Sequence, residues 1–167
     1  MPRAPVTANV RPHLAAPALS FGKPSAGWLP VRLEVDGKAV EFVASDVADD
    51  PLEQLCNSLL DVAAGRQSKT EWFLEPDCYE FNFIPSEGQV ILEVELVEKR
   101  TSNLEALPEK RSQELRWSGS PGALVLSFWR ALKKSQSNFA GEAEWLPFPI
   151  QIFSKLEQRA REFKNEA

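Results

Sequence analysis

Few residues of this chain have the types and spacing that catalysis requires. The 167 residues include one histidine, His13, and two cysteines, Cys56 and Cys78. A general base must be held within hydrogen-bond reach of the proton that it removes, and His13 lies in a proline-rich segment with no evident anchor. Ser-His-Asp and Cys-His arrangements have no other histidine to use. We therefore expect no catalytic residues and no enzymatic activity.

Metal and cofactor sites are equally poorly supported. One histidine and two distant cysteines do not supply the four ligands of a structural zinc site. Asp46, Asp49 and Asp50 are the densest acidic cluster, but they lack the glycine and the distal glutamate of a calcium loop. Capping of a helix that begins after Asp50 explains this cluster better. Nucleotide-binding, zinc-protease and hydrolase motifs are absent, so we expect neither metal nor cofactor.

Charge is distributed unevenly along the chain. The net charge is −5, from 19 Lys+Arg and 24 Asp+Glu. Residues 28–97 hold 4 basic and 15 acidic groups, which gives −11, whereas residues 1–27 and 98–167 each carry +3. An acidic segment of this kind repels phosphate and anionic lipid and attracts cationic partners. We expect a basic protein partner rather than nucleic acid or membrane, although acids that only solvate a sheet face are the simpler alternative.

The sequence favours a cytoplasmic protein. No apolar run approaches the roughly 18–20 residues that span a bilayer. The apolar stretch at 14–19 is interrupted by Pro17 and is too short for a secretory signal. Two cysteines do not form a disulfide framework, so both are expected to be free, buried thiols.

A hairpin and a helix are the clearest predicted elements. Alternating apolar residues predict strands over 28–35 and 38–45, joined by Asp36-Gly37 as a type I′ turn. A helix over 51–63 is predicted because Asp50 can cap it and leucines recur at three- and four-residue spacing.

Three further strands are predicted over 70–74, 78–84 and 89–97, connected by short turns. The charged stretch 98–113 is predicted to be a loop, and 115–117 a short sixth strand. Short links with regular alternation indicate antiparallel pairing with one solvated face.

The element order ββ-α-βββ(β)-αα follows once two helices are added, opening at Ser120 and near Pro149. Grouped rather than alternating helices indicate an α+β fold, which we expect to be one antiparallel sheet of five to six strands with helices packed on one face. Residues 28–167 are predicted to form a single domain. Residues 1–27, with five prolines, are predicted to be an arm, either mobile or extended over that domain.

The candidate binding residues are acids on the solvated side of the predicted sheet and at the helix entry, with one aromatic anchor. The acids would steer a basic partner and contact its rim, and the aromatic residue would fill a pocket on it. The set comprises Asp46, Asp49, Glu71, Trp72, Glu80, Glu93 and Glu95.

Several landmarks can be compared with known families. They are the hairpin that ends at Ser45, Asp50-Pro51-Leu52, Glu75-Pro76, Phe128-Trp129-Arg130, and Trp145 with Phe148-Pro149. Over residues 28–160 this arrangement resembles small uncharacterised bacterial α+β proteins, and it is loosely similar to the immunity proteins of toxin systems. The resemblance implies a structural class and assigns no functional residue.

Three functions follow as expectations. The first is a non-enzymatic bacterial protein that binds another protein, in its most specific form an immunity protein that neutralises a cationic toxin. The second is a homo-oligomerising scaffold or accessory protein, for which a homodimer is expected. The third is a small-molecule ligand module or enzyme with a pocket between sheet and helices.

Overall fold

The chain forms an α+β structure of three helices and two main antiparallel sheets. A computed structural model describes residues 15–99, 101–102, 105–139 and 145–166. The strands are β1 (Ala18–Phe21), β2 (Trp28–Val35), β3 (Lys38–Ser45), β4 (Ser68–Phe73), β5 (Cys78–Ser86), β6 (Gln89–Glu98), β7 (Thr101–Ser102), β8 (Glu105–Ala106) and β9 (Lys110–Gly119). The helices are α1 (Pro51–Ala63), α2 (Pro121–Ser135) and α3 (Ile150–Glu166), with a 3₁₀ turn at Gln136–Phe139.

The first sheet has the strand order β1-β2-β3 and contains the predicted hairpin. Asp36 and Gly37 both have positive φ, 55° and 81°, as a type I′ turn requires. Ala18–Phe21, within the segment that was predicted to be an arm, pairs antiparallel with β2. This short strand lies among prolines and shows too little alternation to be recognised. Residues 1–14, with His13, lie outside the described residues.

The prediction of one five- to six-stranded sheet is wrong. The meander forms a separate sheet of order β4-β5-β6-β9, and β7 and β8 form a two-stranded ladder. The hairpin does not pair edge to edge with the meander. Instead the two sheets pack through their apolar faces, where the Phe42 ring stacks on Tyr79 with centroids 4.5 Å apart.

Strand β9 occupies much of the segment that was predicted to be a loop. It pairs with β6 from Lys110 to Gly119, with a register irregularity at Val94 and Glu95 of β6. At the bulge, Leu115 is opposite Val94 and Gln113 is opposite Glu95. Strand β9 therefore has one extra residue at this point, and its alternation of side chains shifts by one position. That shift, together with the polar character of an edge strand, conceals the strand in the sequence.

The helices begin where their caps predict. The Asp50 carboxylate accepts hydrogen bonds from the backbone N–H groups of Leu52 and Glu53, at 3.0 and 3.4 Å. The Ser120 hydroxyl likewise accepts from Ala123 N–H at the start of α2. Helix α2 packs against β1, and its Phe128 ring meets Phe83 of β5. The helices and the first sheet therefore share the apolar face of the four-stranded sheet.

Trp72 lies at the centre of the contact between the two sheets. Its side chain is fully buried, and its ring packs against Phe21, Phe42 and Phe81 at centroid distances of 5.4–6.1 Å. The indole N–H has no hydrogen-bond partner among the described residues. Apolar and aromatic packing therefore holds Trp72 in place, and it cannot serve as the surface anchor predicted from the sequence.

We expect Trp72→Ala to lower the free energy of unfolding by about 3–5 kcal/mol, because it removes a large aromatic group from a close-packed site. Trp28→Ala is the matched control, since Trp28 is 38% exposed. The control should lose about 0.5 kcal/mol, as surface substitutions do. Urea denaturation followed by circular dichroism compares the two. Equal losses would show that Trp72 is not central to the core.

Candidate functional site

Three of the predicted acids form a row across the outer face of the four-stranded sheet. Glu71 is the register partner of Glu80, and Glu80 is the register partner of Glu95. We refer to these three residues as the carboxylate row. Like charges directly opposite each other on neighbouring strands are destabilising, so the row needs compensating cations.

Arg111 and Lys69 supply that compensation. The Arg111 guanidinium lies 2.7 Å from a Glu80 carboxylate oxygen and 3.1 Å from one of Glu95. The Lys69 ammonium lies 2.8 Å from Glu71 and 3.6 Å from Glu80. Two cations therefore hold the three carboxylates of the row together from its two ends.

Glu80 is the buried centre of this network, with a side chain only 6% exposed. Burial alone would raise the pKa of its carboxyl group. The hydrogen bond and charge of Arg111, together with the charge of Lys69, outweigh burial and lower the pKa below its ordinary value. The carboxylate is thus ionised and internally paired. Its predicted role in steering a partner is not supported by this placement, because the group is neither exposed nor uncompensated.

Glu93 lies in the next row of the same face, where an Arg116 nitrogen is 3.7 Å from its carboxylate. The face therefore combines four acids with the three cations Lys69, Arg111 and Arg116. Two of those cations come from the basic C-terminal part of the sequence. The four acids of this face are thus paired with nearby cations, two of which come from chain that is distant in sequence, although these two offset only +2 of the −11 of residues 28–97.

Asp46 and Asp49 lie elsewhere, in the connection between β3 and α1. The Asp46 backbone N–H donates to the Gly27 carbonyl at 3.1 Å, and its side chain lies against the Gly27 backbone. Glu75 joins them from the β4–β5 turn, where it accepts a hydrogen bond of 2.9 Å from the Ser45 hydroxyl. None of these three carboxylates forms an ion pair within the part of the chain that the structure describes.

Exposed apolar side chains lie beside these acids. Trp28, Val43 and Val47 are 38%, 46% and 71% exposed. In the register of the hairpin, Trp28 is opposite Ser45 and Pro30 is opposite Val43, so all four project from the outer face of the three-stranded sheet. We call the surface formed by Trp28, Pro30, Val43 and Val47 the Trp28 face.

A shallow cavity of about 490 Å³ indents this sheet next to Val43. It lies over Pro30 and Gly22, where the glycine is required because a Cβ would come within 2.8 Å of the Pro30 ring. Arg32 and Glu41 line it as well and are joined by an ion pair of 2.9 Å. The Trp28 face is thus apolar, indented and bordered by charge.

Sequence reasoning missed Trp28 although the signal was present. Leu29, Val31 and Leu33 are buried. Because successive side chains of a strand point to opposite faces, the residue before Leu29 must lie on the solvated side. The same rule separates Glu71 from Trp72, which cannot both face a partner.

A larger cleft, of about 800 Å³, lies where the end of α1, the β5–β6 turn and the start of α2 converge. Its walls are mainly apolar, with Val62, Leu126 and Phe163 among them. Two of its polar groups are already engaged. Arg66 pairs with Asp61 at 2.7 Å, and the Ser120 hydroxyl caps α2. This arrangement does not favour recognition of a particular polar ligand.

The thiols are not poised for nucleophilic chemistry. Burial raises the pKa of Cys56 to about 12, and burial also raises the pKa of Cys78. Both are free and buried, as predicted. Among the described residues, no group of three or more His, Cys, Asp or Glu is arranged to hold a metal ion.

Comparison of the chain with protein-family models, with curated proteins and with solved structures gave no match. The resemblance to toxin-system immunity proteins therefore stays a hypothesis. Across the residues that the structure describes, no helix is both long enough and apolar enough to cross a membrane.

We expect Glu80→Gln to lower the free energy of unfolding at pH 7 by about 1–3 kcal/mol, because Arg111 and Lys69 lose their shared carboxylate. The pKa of Glu80 is lowered in the folded state. Its stabilising effect is therefore complete above the unfolded-state pKa and is lost as the pH falls through the folded-state value. The difference between wild type and variant should shrink below about pH 4.5.

Glu93→Gln is the control for this measurement, since its side chain is more exposed and its cation is farther away. It should cost about 0.5 kcal/mol or less. Denaturant titrations at several pH values between 3 and 7 provide the comparison. A Glu80→Gln deficit that stays constant over this range would rule out the electrostatic explanation.

Proposed function

We propose that this chain is a non-enzymatic protein-binding protein whose contact surface is the Trp28 face. The observation that carries the proposal is the exposure of Trp28 and Val43 on a regular sheet face, with Val47 just beyond the end of β3 and with neighbouring acids that pair with no cation of the described residues. Tryptophan is strongly enriched among the residues that dominate the energetics of protein interfaces. A half-exposed tryptophan surrounded by apolar and charged side chains suits that role.

The acids beside the Trp28 face favour a basic partner. Asp46, Asp49 and Glu75 have no internal cation among the described residues, in contrast to the carboxylate row. Uncompensated charges at the rim of an interface accelerate association and select partners of opposite sign. Part of the acidic character of residues 28–97 is therefore available to a partner here rather than on the four-stranded sheet.

An immunity protein that neutralises a cationic toxin is the most specific form of this proposal. It is supported by the acidic rim and by the resemblance in element order. In a bacterial source, a gene for a secreted basic protein next to the gene for this chain would strengthen it.

We expect Trp28→Ala to weaken binding of a basic protein partner by about 30-fold, the effect of losing an interface residue worth about 2 kcal/mol. The partner would be recovered by affinity capture from the organism of origin and its affinity measured by calorimetry. Asp46→Asn with Asp49→Asn should slow association severalfold, and the effect should diminish as salt rises.

Ile150→Ala is the matched control, because Ile150 is 61% exposed on α3 and is not one of the residues of the Trp28 face. The Ile150→Ala variant should bind the basic partner with the affinity of the wild-type chain. Unchanged affinity in Trp28→Ala would refute the proposed surface. A wild-type chain that is a dimer in light scattering, and that Trp28→Ala makes monomeric, would instead establish the homo-oligomeric alternative.

A further inference from the structure

The two main sheets have four outermost strands, β1, β3, β4 and β9. An outermost strand presents unpaired N–H and C=O groups that can pair with another chain, and proteins normally cover or interrupt such edges. Of these four, three are covered or interrupted within the described residues, and β3 is not.

Strands β1 and β4 are covered by helices. Helix α2 packs along β1, and its Ser127 hydroxyl donates to the Pro17 carbonyl just before that strand. Helix α1 packs along β4. There the Ser58 hydroxyl donates to the Lys69 carbonyl at 3.0 Å, and the Gln54 side-chain oxygen accepts from Glu71 N–H at 3.1 Å. The outward backbone groups of β4 are thus satisfied by side chains.

The edge of β9 is irregular and charged. The bulge opposite Val94 and Glu95 breaks its regular spacing of backbone groups. Arg111, Glu114 and Arg116 lie along the strand. Charged side chains and bulges both hinder the addition of another strand, so β9 is protected in the usual way.

Strand β3 has no covering helix and no bulge within the described residues. In a two-residue type I′ hairpin, the pair that flanks the turn is hydrogen bonded, here Val35 with Lys38. Alternation then directs the backbone groups of Ala39, Glu41 and Val43 away from β2. The hydrogen bond from Asp46 N–H to the Gly27 carbonyl continues this pattern. Gly27 precedes Val35 by the same even number of residues by which Asp46 follows Lys38.

Those outward groups have no hydrogen-bond partner in the part of the chain that the structure describes. No hydrogen bond to a described residue reaches the backbone of Ala39, Glu41 or Val43 on the outward side. All three residues are exposed. The strand offers an outward amide and carbonyl at every second residue, without a bulge, a proline or a covering helix.

The charge near this edge selects the kind of chain that fits. On the outer face the 71% exposed Glu41 side chain shares one cation, Arg32, with Glu34, so this group keeps a net negative charge, and Asp46 and Asp49 lie in the connection that follows β3. On the inner face, Val40 and Phe42 continue into the core. An added strand therefore meets carboxylates on one side and apolar side chains on the other.

We propose that β3 accepts an extended, basic segment of the partner as a fourth strand of this sheet, with lysine or arginine beside Glu41 and an apolar residue beside Val40 and Phe42. This mode of recognition combines main-chain hydrogen bonds for affinity with alternate side chains for specificity. The proposal rests on the proposed protein-binding function and assigns the form in which the partner docks.

The test uses the full chain, labelled with ¹⁵N, and the peptide acetyl-KVRVKVR-amide at millimolar concentration. Without peptide, the amides of Val40, Phe42 and Ala44 should exchange slowly because they bond to β2, whereas those of Ala39, Glu41 and Val43 should exchange fast. With peptide, exchange at the three outward amides should slow at least tenfold. The inward amides should change little.

Two matched controls isolate strand pairing from charge attraction. Acetyl-KVRPKVR-amide has the same charge, but its proline removes a central amide and should give no protection. In the chain, Ala39→Pro removes one outward N–H and should reduce the protection of the other outward amides, whereas Ala39→Thr keeps that N–H and should leave protection unchanged. If Ala39→Pro does not fold, the comparison of the two peptides on the wild-type chain decides the matter.

Three results would overturn the proposal. The first is that the outward amides still exchange fast in the presence of KVRVKVR, and the second is that the proline peptide protects them equally. The third is protection that grows with the concentration of the chain in the absence of peptide, which would indicate pairing between two copies.

The proposed function fails separately. If Trp28→Ala abolishes capture of a basic partner while the peptide gives no protection, the Trp28 face stands and edge pairing is refuted.

Discussion

The packing of Phe42 against Tyr79, Trp72 and Phe81 determines how the two sheets meet. Phe42 is the inward-facing aromatic of β3, and the other three belong to the four-stranded sheet. Fixing the inner face of β3 in this way leaves its opposite face to solvent, because successive side chains alternate. The exposure of Val43, and the exposed position of Trp28 on the neighbouring strand, follow from that single contact.

Electrostatics in this protein depends on chain topology rather than on local composition. Residues 28–97 carry fifteen acids, yet the acids of the four-stranded sheet are paired with Lys69, Arg111 and Arg116. Arg111 reaches Glu80 only because β9 adds beside β6. Among the described residues, the acids in the β3–α1 connection have no such cation, so the rim of the Trp28 face keeps a negative charge.

Local signals predicted much of the fold, and long-range pairing explains what they missed. Asp36-Gly37, the Asp50 cap and the leucine stripe specify elements through neighbours in sequence, and all three are found in the structure. The division into two sheets depends on which strands pair across α1, and no local pattern encodes that choice. Strand β9 was predicted only over 115–117, because its bulge shifts the alternation by which the preceding part would be recognised.

The candidate site was predictable only in part for the same reason. The alternation of side chains along β2 and β4 was enough to predict that Trp28 faces outward and Trp72 faces inward. The neutralisation of Glu71, Glu80 and Glu95 was not, because it depends on the register between β5, β6 and β9. Exposed strand edges likewise become visible only when every pairing partner is known.

The ion pair between Glu80 and Arg111 also affects how the four-stranded sheet unfolds. Glu80 belongs to β5 and Arg111 to β9, with β6 between them. If β9 detached alone, a nearly buried carboxylate would lose its closest cation, and a buried charge without its partner is strongly unfavourable. Partial opening at that edge is therefore penalised, and the four strands should unfold as one cooperative unit rather than fray from the C-terminal strand.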